Sequence, residues 1–384
     1  MGKKKKNKGG GGGAGAAAAG QGSTASVMPR RNRLSATRGP RVAAELTALH
    51  QKKDWKGVVA MEKEALMFAH DMQDGGELSL AGQVFGVLGT ARHNLGFYER
   101  AIELYKEGKT ISTAAGERQE VGAACGWMGT SYVSLGQYER AIALHQECKM
   151  IMEEKGERSA AGRALGNIGQ CYRLMGQLER AVACYKEWKS LAEELDDQGG
   201  VVMACNSIGA CYRMLGEFEL ALASNEEAKV RAEKMGDPDG VGKACGNIGN
   251  CYYGLGQYER AIGVFEEAKA IAEKVEGAEG DTQDLVRLCG NLGNCYLSLQ
   301  KPTRAIELHS EAKTMAERAG NHLGVAKALC DIGSCFQRLG QKNRAIALHL
   351  EARARAEKLG DRAGVGTAST NLGNCYRSLG QYDR

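Results

Sequence analysis

The sequence predicts an all-α fold, a solenoid of stacked helix-turn-helix units, and three observations predict it. An Ala-Ile step recurs as Ala101-Ile102, Ala141-Ile142, Ala181-Val182, Ala221-Leu222, Ala261-Ile262, Ala305-Ile306 and Ala345-Ile346, at a period of 40 with one interval of 44. A glycine ladder keeps step with it at Gly89, Gly129, Gly169, Gly209, Gly249, Gly293, Gly333 and Gly373. Within each unit, two arms carry apolar residues at three- and four-residue intervals, separated by a glycine such as Gly176 that suits a left-handed helix terminus. Units of this length cannot bury their apolar face alone, so they stack on their neighbours.

Composition agrees with many small contacts: 43% hydrophobic and 6% aromatic residues, with 53 Gly against 4 Pro. No stretch approaches the roughly 18 uninterrupted apolar residues of a membrane span. Lys3 to Lys6 have no apolar run behind them, which excludes a secretory signal and leaves a cytoplasmic address as the expectation.

The elements follow in order. Residues 1–43 hold 10 Lys or Arg and no acid, leaving 41 bases against 46 acids for the rest of the chain. This Gly/Ala-rich basic tail has too little apolar side chain to offset its ordering entropy and is expected to be disordered. It would serve as a solubilising arm or make weak contact with a polyanion. Residues 44–78, around Trp55 to Phe68, read as a degenerate N-terminal capping repeat. Residues 79–362 hold seven repeats of about 40 residues. The longer unit gains its four residues around Gly277–Asp284, close to one helical turn, so the next unit stays nearly in phase. Residues 363–384 form the first half of a truncated eighth repeat. Leu372, Cys375, Tyr376 and Leu379 would there lack the cover that earlier units receive, and a longer protein or another chain is expected to supply it.

The pattern Asn-x-Gly-x-x-Tyr-x-x-Leu-Gly-x-Tyr-x-x-Ala-Ile, carried by Gly249, Tyr252, Leu255, Gly256, Tyr258 and Ala261, resembles the tetratricopeptide repeat (TPR). The blocks at 246–250 and 357–362 and the long period are similar to the Pins/LGN-type G-protein-signalling modulators. The resemblance covers about residues 44–384 and implies a right-handed superhelix whose first helices line a concave wall. Departures fall at Arg92 and Lys342, where an aromatic is expected, and at Gln300-Lys301-Pro302, where Leu-Gly is otherwise followed by Gly-x-Tyr; they bear on local packing.

With Gly169 set as position 8 of the first helix, Leu165, Ile168, Gly169 and Tyr172 share a packing face. Positions 2, 6 and 9 fall opposite, with position 12 nearby, and form the candidate binding stripe. Position 2 supplies Arg163, Lys243, Arg287 and Lys327; position 6 supplies Asn167, Asn247, Asn291 and Asn371; position 9 supplies Gln170, Asn250, Asn294 and Asn374. Position 12 adds Arg173, Arg213 and Arg377. No acid stands at positions 2, 9 or 12 from Gly89 onward, and only Asp331 at position 6. Amides offer donors and acceptors to an extended peptide backbone, and the bases favour carboxylates. Position 5 is Gly166, Asn206, Gly246, Gly290 or Cys330 instead of the Lys of a carboxylate clamp, so no strict clamp is expected. Glycine there would let a ligand backbone or a neighbouring helix approach.

The 13 cysteines fall at repeated interior positions, six at position 10 and four at position 4, and read as small packed hydrophobes without disulfide or metal. His145, His309 and His349 share the second-helix register of Tyr185 and Phe265 and read as core-edge packing. Gly108-Lys109-Thr110 mimics a phosphate loop, but Glu103 stands where its upstream glycine belongs. No cofactor, metal, small-molecule substrate or catalytic constellation is expected. The reading is a non-catalytic scaffold binding an extended, acidic peptide segment of a protein partner. A helical-repeat binder of single-stranded RNA and an adaptor domain of a larger signalling protein are the alternatives.

Overall fold

A computed structural model describes residues 30–276 and 282–381. The expected disorder of the tail up to residue 29, most of the four-residue insertion and the last three residues lie outside the described residues. Among the described residues there are helices and no strands.

The chain opens with α1 (Arg30–Gln51), α2 (Trp55–Ala60) and α3 (Glu62–Asp74). Hairpins follow: α4 (Leu78–Asn94) with α5 (Tyr98–Ala114), α6 (Arg118–Ser134) with α7 (Tyr138–Glu154), and α8 (Arg158–Leu174) with α9 (Leu178–Glu194). Next come α10 (Gln198–Leu215) with α11 (Phe218–Met235), α12 (Pro238–Gly254) with α13 (Tyr258–Glu276), and α14 (Thr282–Ser298) with α15 (Pro302–Arg318). The series continues with α16 (His322–Arg338), α17 (Lys342–Leu359) and α18 (Arg362–Ser378). The helix α1 begins inside the stretch 1–43 read as tail. Val42 and Leu46 on it are buried in one cluster with Val58, Phe68, Met72 and Phe85, so apolar contact starts before residue 44.

Left-handed residues close nearly every helix at twenty-residue steps. At Gly136 (φ 71), the Gly136 N–H donates to the Val133 carbonyl and the Gln137 N–H to that of Tyr132, both at 2.9 Å. This pair of bonds satisfies carbonyls that the helix end would orphan. Asp196 (φ 54) and Gln300 (φ 59) occupy the same corner without being glycine. Gln300 thereby accounts for its departure from the repeat: the Lys301 N–H still reaches the Tyr296 carbonyl at 2.8 Å, and Pro302 opens α15 where no N–H is needed.

The other two departures are also accommodated. Arg92 donates to Glu62 of α3 at 2.6 Å and lies over the Phe97 ring, joining the cap to the first hairpin. Lys342 donates to the Ser378 carbonyl and ties α17 to α18.

Inside each hairpin the glycine ladder is a row of vacancies filled sixteen residues later. Tyr105, His145, Tyr185, Asn225, Phe265, His309 and His349 press onto Gly89, Gly129, Gly169, Gly209, Gly249, Gly293 and Gly333. A Cβ on any of these glycines would lie 2.5–2.8 Å from the facing side chain, inside contact distance. At Gly373 nothing among the described residues approaches within 4 Å.

First helices of neighbouring units touch one another, as α8 with α10 and α10 with α12, whereas second helices of neighbouring units do not approach closely among the described residues. The more closely spaced row is the inside of the curve, so the first helices form the concave wall. The second helices are bridged by long side chains. Lys109–Glu147, Lys189–Glu227, Lys229–Glu267 and Lys269–Glu311 each pair at 2.7 Å, and Lys149–Glu187 at 3.2 Å.

Candidate functional site

An open groove of about 990 Å³ runs along the concave wall over α6, α8, α10, α12 and α14. It brings together Arg163, Asn167, Gln170, Arg173, Lys243, Asn247 and Arg287. Arg213, Asn250, Asn291, Asn294, Lys327, Asn371, Asn374 and Arg377 do not line it.

The bases differ in their partners. Arg163 donates to Ser159 Oγ at 3.1 Å, and Arg163, Arg173 and Arg213 make no ion pair among the described residues. Lys243 instead pairs with Asp239 at 2.5 Å, and Arg287 with Asp284 at 2.9 Å. The Asp239 hydrogen bond holds the Lys243 pKa up. Both acids sit one turn before position 2, outside the registers that held no acid. The stripe therefore carries free positive charge on α8 and α10 and balanced charge on α12 and α14.

Several amides are tied to the preceding unit. Asn247 Nδ2 donates to Asn206 Oδ1 at 3.3 Å, and Asn291 Nδ2 to Asn250 Oδ1 at 3.1 Å. Asn371 Nδ2 reaches Cys330 Sγ at 3.3 Å. On Asn247 and Asn291 one amide hydrogen stitches adjacent first helices and the other stays free for a ligand, whereas Asn371 Nδ2 also reaches Ser334 Oγ at 3.5 Å and spends both. At position 5, a Cβ on Gly166 would meet the Trp188 ring at 2.9 Å and one on Gly246 the Arg287 guanidinium at 3.3 Å. The chain's own side chains use those two vacancies, where a ligand backbone or neighbouring helix was expected; at Gly290 the space is open.

Sequence reasoning missed the apolar part of the groove. Trp127, Met152, Trp188 and Met203 line it, with Trp127 45% and Met203 51% exposed. Trp127 occupies position 6 and Met203 position 2, so the signal was available: large apolar residues in registers that are polar elsewhere.

At the far end, burial raises the Asp331 carboxyl to about 6, with Lys327 acting to lower it. His309 lies behind it, its Nδ1 3.9 Å from Asp331 Oδ2, and burial lowers that imidazole to about 4. His145, His309 and His349 are all buried, in agreement with the packing read from their register.

Cys330 Sγ stands 3.6 Å from His349 Nδ1, a thiol beside an imidazole. Burial raises the thiol and lowers the imidazole, so both are held neutral, the reverse of an activated thiolate–imidazolium pair. The 13 cysteines are free thiols, and no group of three or more His, Cys, Asp or Glu among the described residues is placed to hold a metal ion. Gly108-Lys109-Thr110 falls in the middle of α5, with Lys109 engaged by Glu147. No helix among the described residues is long and apolar enough to cross a membrane.

Stacked hairpins around a side-chain-lined inner groove define a helical-repeat interaction scaffold. The tetratricopeptide repeat pattern matches residues 122–194, 201–274 and 285–358, more than half of the chain, and the chain belongs to that family. No curated protein matches the sequence. Among solved structures it is similar to the apo form of the quorum sensor NprR from B. thuringiensis, at 13% identity and a TM-score of 0.61, covering 86% of this chain and 93% of that one. It is similar to aspartyl phosphate phosphatase F from Bacillus subtilis at 17% identity and a TM-score of 0.57, with 73% of each chain covered. A Rap protein complexed with Competence and Sporulation Factor matches at 15% identity and a TM-score of 0.53, over 90% of this chain and 99% of that one. At these identities the likeness shows the fold.

Proposed function

We propose that the protein is a non-catalytic scaffold that binds an extended, acidic peptide segment of a partner protein along its concave groove. The observation that carries this is the pair Arg163 and Arg173, which face the groove without an acidic partner. Unpaired guanidinium groups beside amides with spare donors recruit carboxylates and an extended backbone together. That a Rap protein of similar fold forms a complex with Competence and Sporulation Factor supports a binding role for such a solenoid.

Reversing charge at Arg163, Arg173, Arg213 and Arg287 together tests the reading. The variant is expected to keep its helical content and lose binding to acidic peptides measured by fluorescence anisotropy. Unchanged affinity in a folded variant would sink the proposed site. Filter binding of single-stranded RNA at two salt concentrations separates the nucleic-acid alternative, which demands a steep salt dependence.

A further inference from the structure

The free arginines and the missed apolar residues belong to one groove. Met152 on α7 and Trp188 on α9 reach the groove from behind the first helices, with Trp188 packed onto Gly166. Trp127 and Met203 stand in front on α6 and α10, and Arg163 on α8 lies between them in the chain of units. Trp127 is backed by Tyr105, the two rings stacked with centroids 6.4 Å apart and 12° between planes, so its exposed face is held in place. An exposed aromatic supported this way loses little conformational freedom on binding, which suits a binding anchor.

Polarity then changes along the groove. On α6 the registers that face it carry Ala123, Trp127 and Thr130. On α8 they carry Arg163, Asn167 and Gln170, and at α12 and α14 the cations Lys243 and Arg287 are already matched by acids. Net free charge is thus concentrated beside the apolar surface. Arg163 and Arg173 are ten residues apart on one helix, about 15 Å of rise, so they flank a segment that crosses α8 between them.

Building on the peptide-binding reading above, we infer that the ligand is an acidic linear segment carrying two large apolar side chains, one seated against Trp127 on α6 and one against Met203 on α10, on either side of Arg163. Its carboxylates lie on Arg163 and Arg173. First helices pack at 8–10 Å spacing and an extended chain advances about 3.3 Å per residue, so each apolar residue and an acid seated on α8 fall within about three residues of each other. The apolar seat supplies affinity by desolvation, and the arginines supply orientation and sign.

Selection of a random displayed 12-residue peptide library against the full chain tests this. The expected consensus is acidic with two large apolar positions. Replacing either position by Ala, or making Met203→Asp in the protein, is expected to weaken a selected peptide at least ten-fold. Trp127→Ala should do the same and reduce the tryptophan emission shift on binding, whereas Trp127→Phe retains affinity. Circular dichroism confirms that each variant is folded. An acidic consensus without an apolar position, unaffected by Trp127→Ala and Met203→Asp but lost with Arg163→Glu and Arg173→Glu, overturns the anchor and leaves the groove reading standing. Peptides indifferent to the arginine changes, no selected peptide at all, or preferential binding of a single-stranded RNA oligomer overturn both.

Discussion

The interior of the hairpins and the wall of the groove both repeat every forty residues, yet they are specified differently. Inside, the repeated element is a vacancy: the ladder glycine is constant, and the filler varies from Phe265 to Asn225 to His309. Along the groove, the repeated element is a polar register whose outcome varies with its surroundings, free at Arg163 and neutralised at Arg287. A close-packed interior tolerates changes of chemistry at fixed volume relations. A solvated wall tolerates changes of volume, and its function depends on charge.

The largest expected effect comes from the histidine fillers. Burial lowers His145 and His309 to about 4 and lowers His349 as well, so their folded forms bind fewer protons than the unfolded chain. Their neutral forms fit fully at neutral pH, and stability falls as pH drops from about 6.5 toward 4, by about 1.4 kcal/mol per pH unit of separation for each group. Asp331 opposes them: its carboxyl is raised to about 6, so its contribution is present at low pH and lost as pH rises between about 3.8 and 6. Urea midpoints against pH should show a steep acid limb, flattened in a His145→Phe, His309→Phe, His349→Phe variant that copies Phe265. An unchanged limb would mean that the fillers do not set acid lability.

Next in size is the ladder itself. Gly249→Ala places a methyl 2.6 Å from the Phe265 ring and is expected to cost about 1–3 kcal/mol. Gly373→Ala meets nothing within 4 Å and is expected to gain up to about 1 kcal/mol from helix propensity. Opposite signs in urea unfolding sharpen the distinction between filled and unfilled vacancies; equal effects would erase it.

Smaller again is the corner at Gln300, whose φ of 59 is costly for a residue with a Cβ. Gln300→Gly should stabilise by about 1 kcal/mol, read as a shift in the thermal midpoint. Smallest for stability is the groove: Arg163→Glu with Arg173→Glu should change the unfolding free energy by less than about 0.5 kcal/mol while removing acidic-peptide binding. A large loss of stability would show that these arginines hold the solenoid together and would remove the contrast between wall and interior.

Much of the fold was legible because its signals are local. The period of 3.6 marked both arms of each unit, and a left-handed corner favours glycine, as at Gly176 (φ 74). The buried register of His145, His309 and His349 was legible for the same reason. The Cys330–His349 contact was not, because it joins residues nineteen apart on different helices. The groove was half legible: registers located its wall, but Trp127 and Met203 were passed over in units that broke the polar pattern.

By itself, then, the sequence determined a solenoid of α-hairpins, since helix period and corner are each written within a single unit; that the first helices form the inner wall came from the resemblance to the repeat family. Tertiary structure decided which amides are spent and which side chains share the groove. Asp284 neutralises Arg287 from one turn below it on the same helix, a local pair, whereas Asn247 Nδ2 donates a hydrogen bond to Asn206 Oδ1 in the preceding unit. That amide contact joins residues forty-one apart on different helices, so no register taken along one helix contains it.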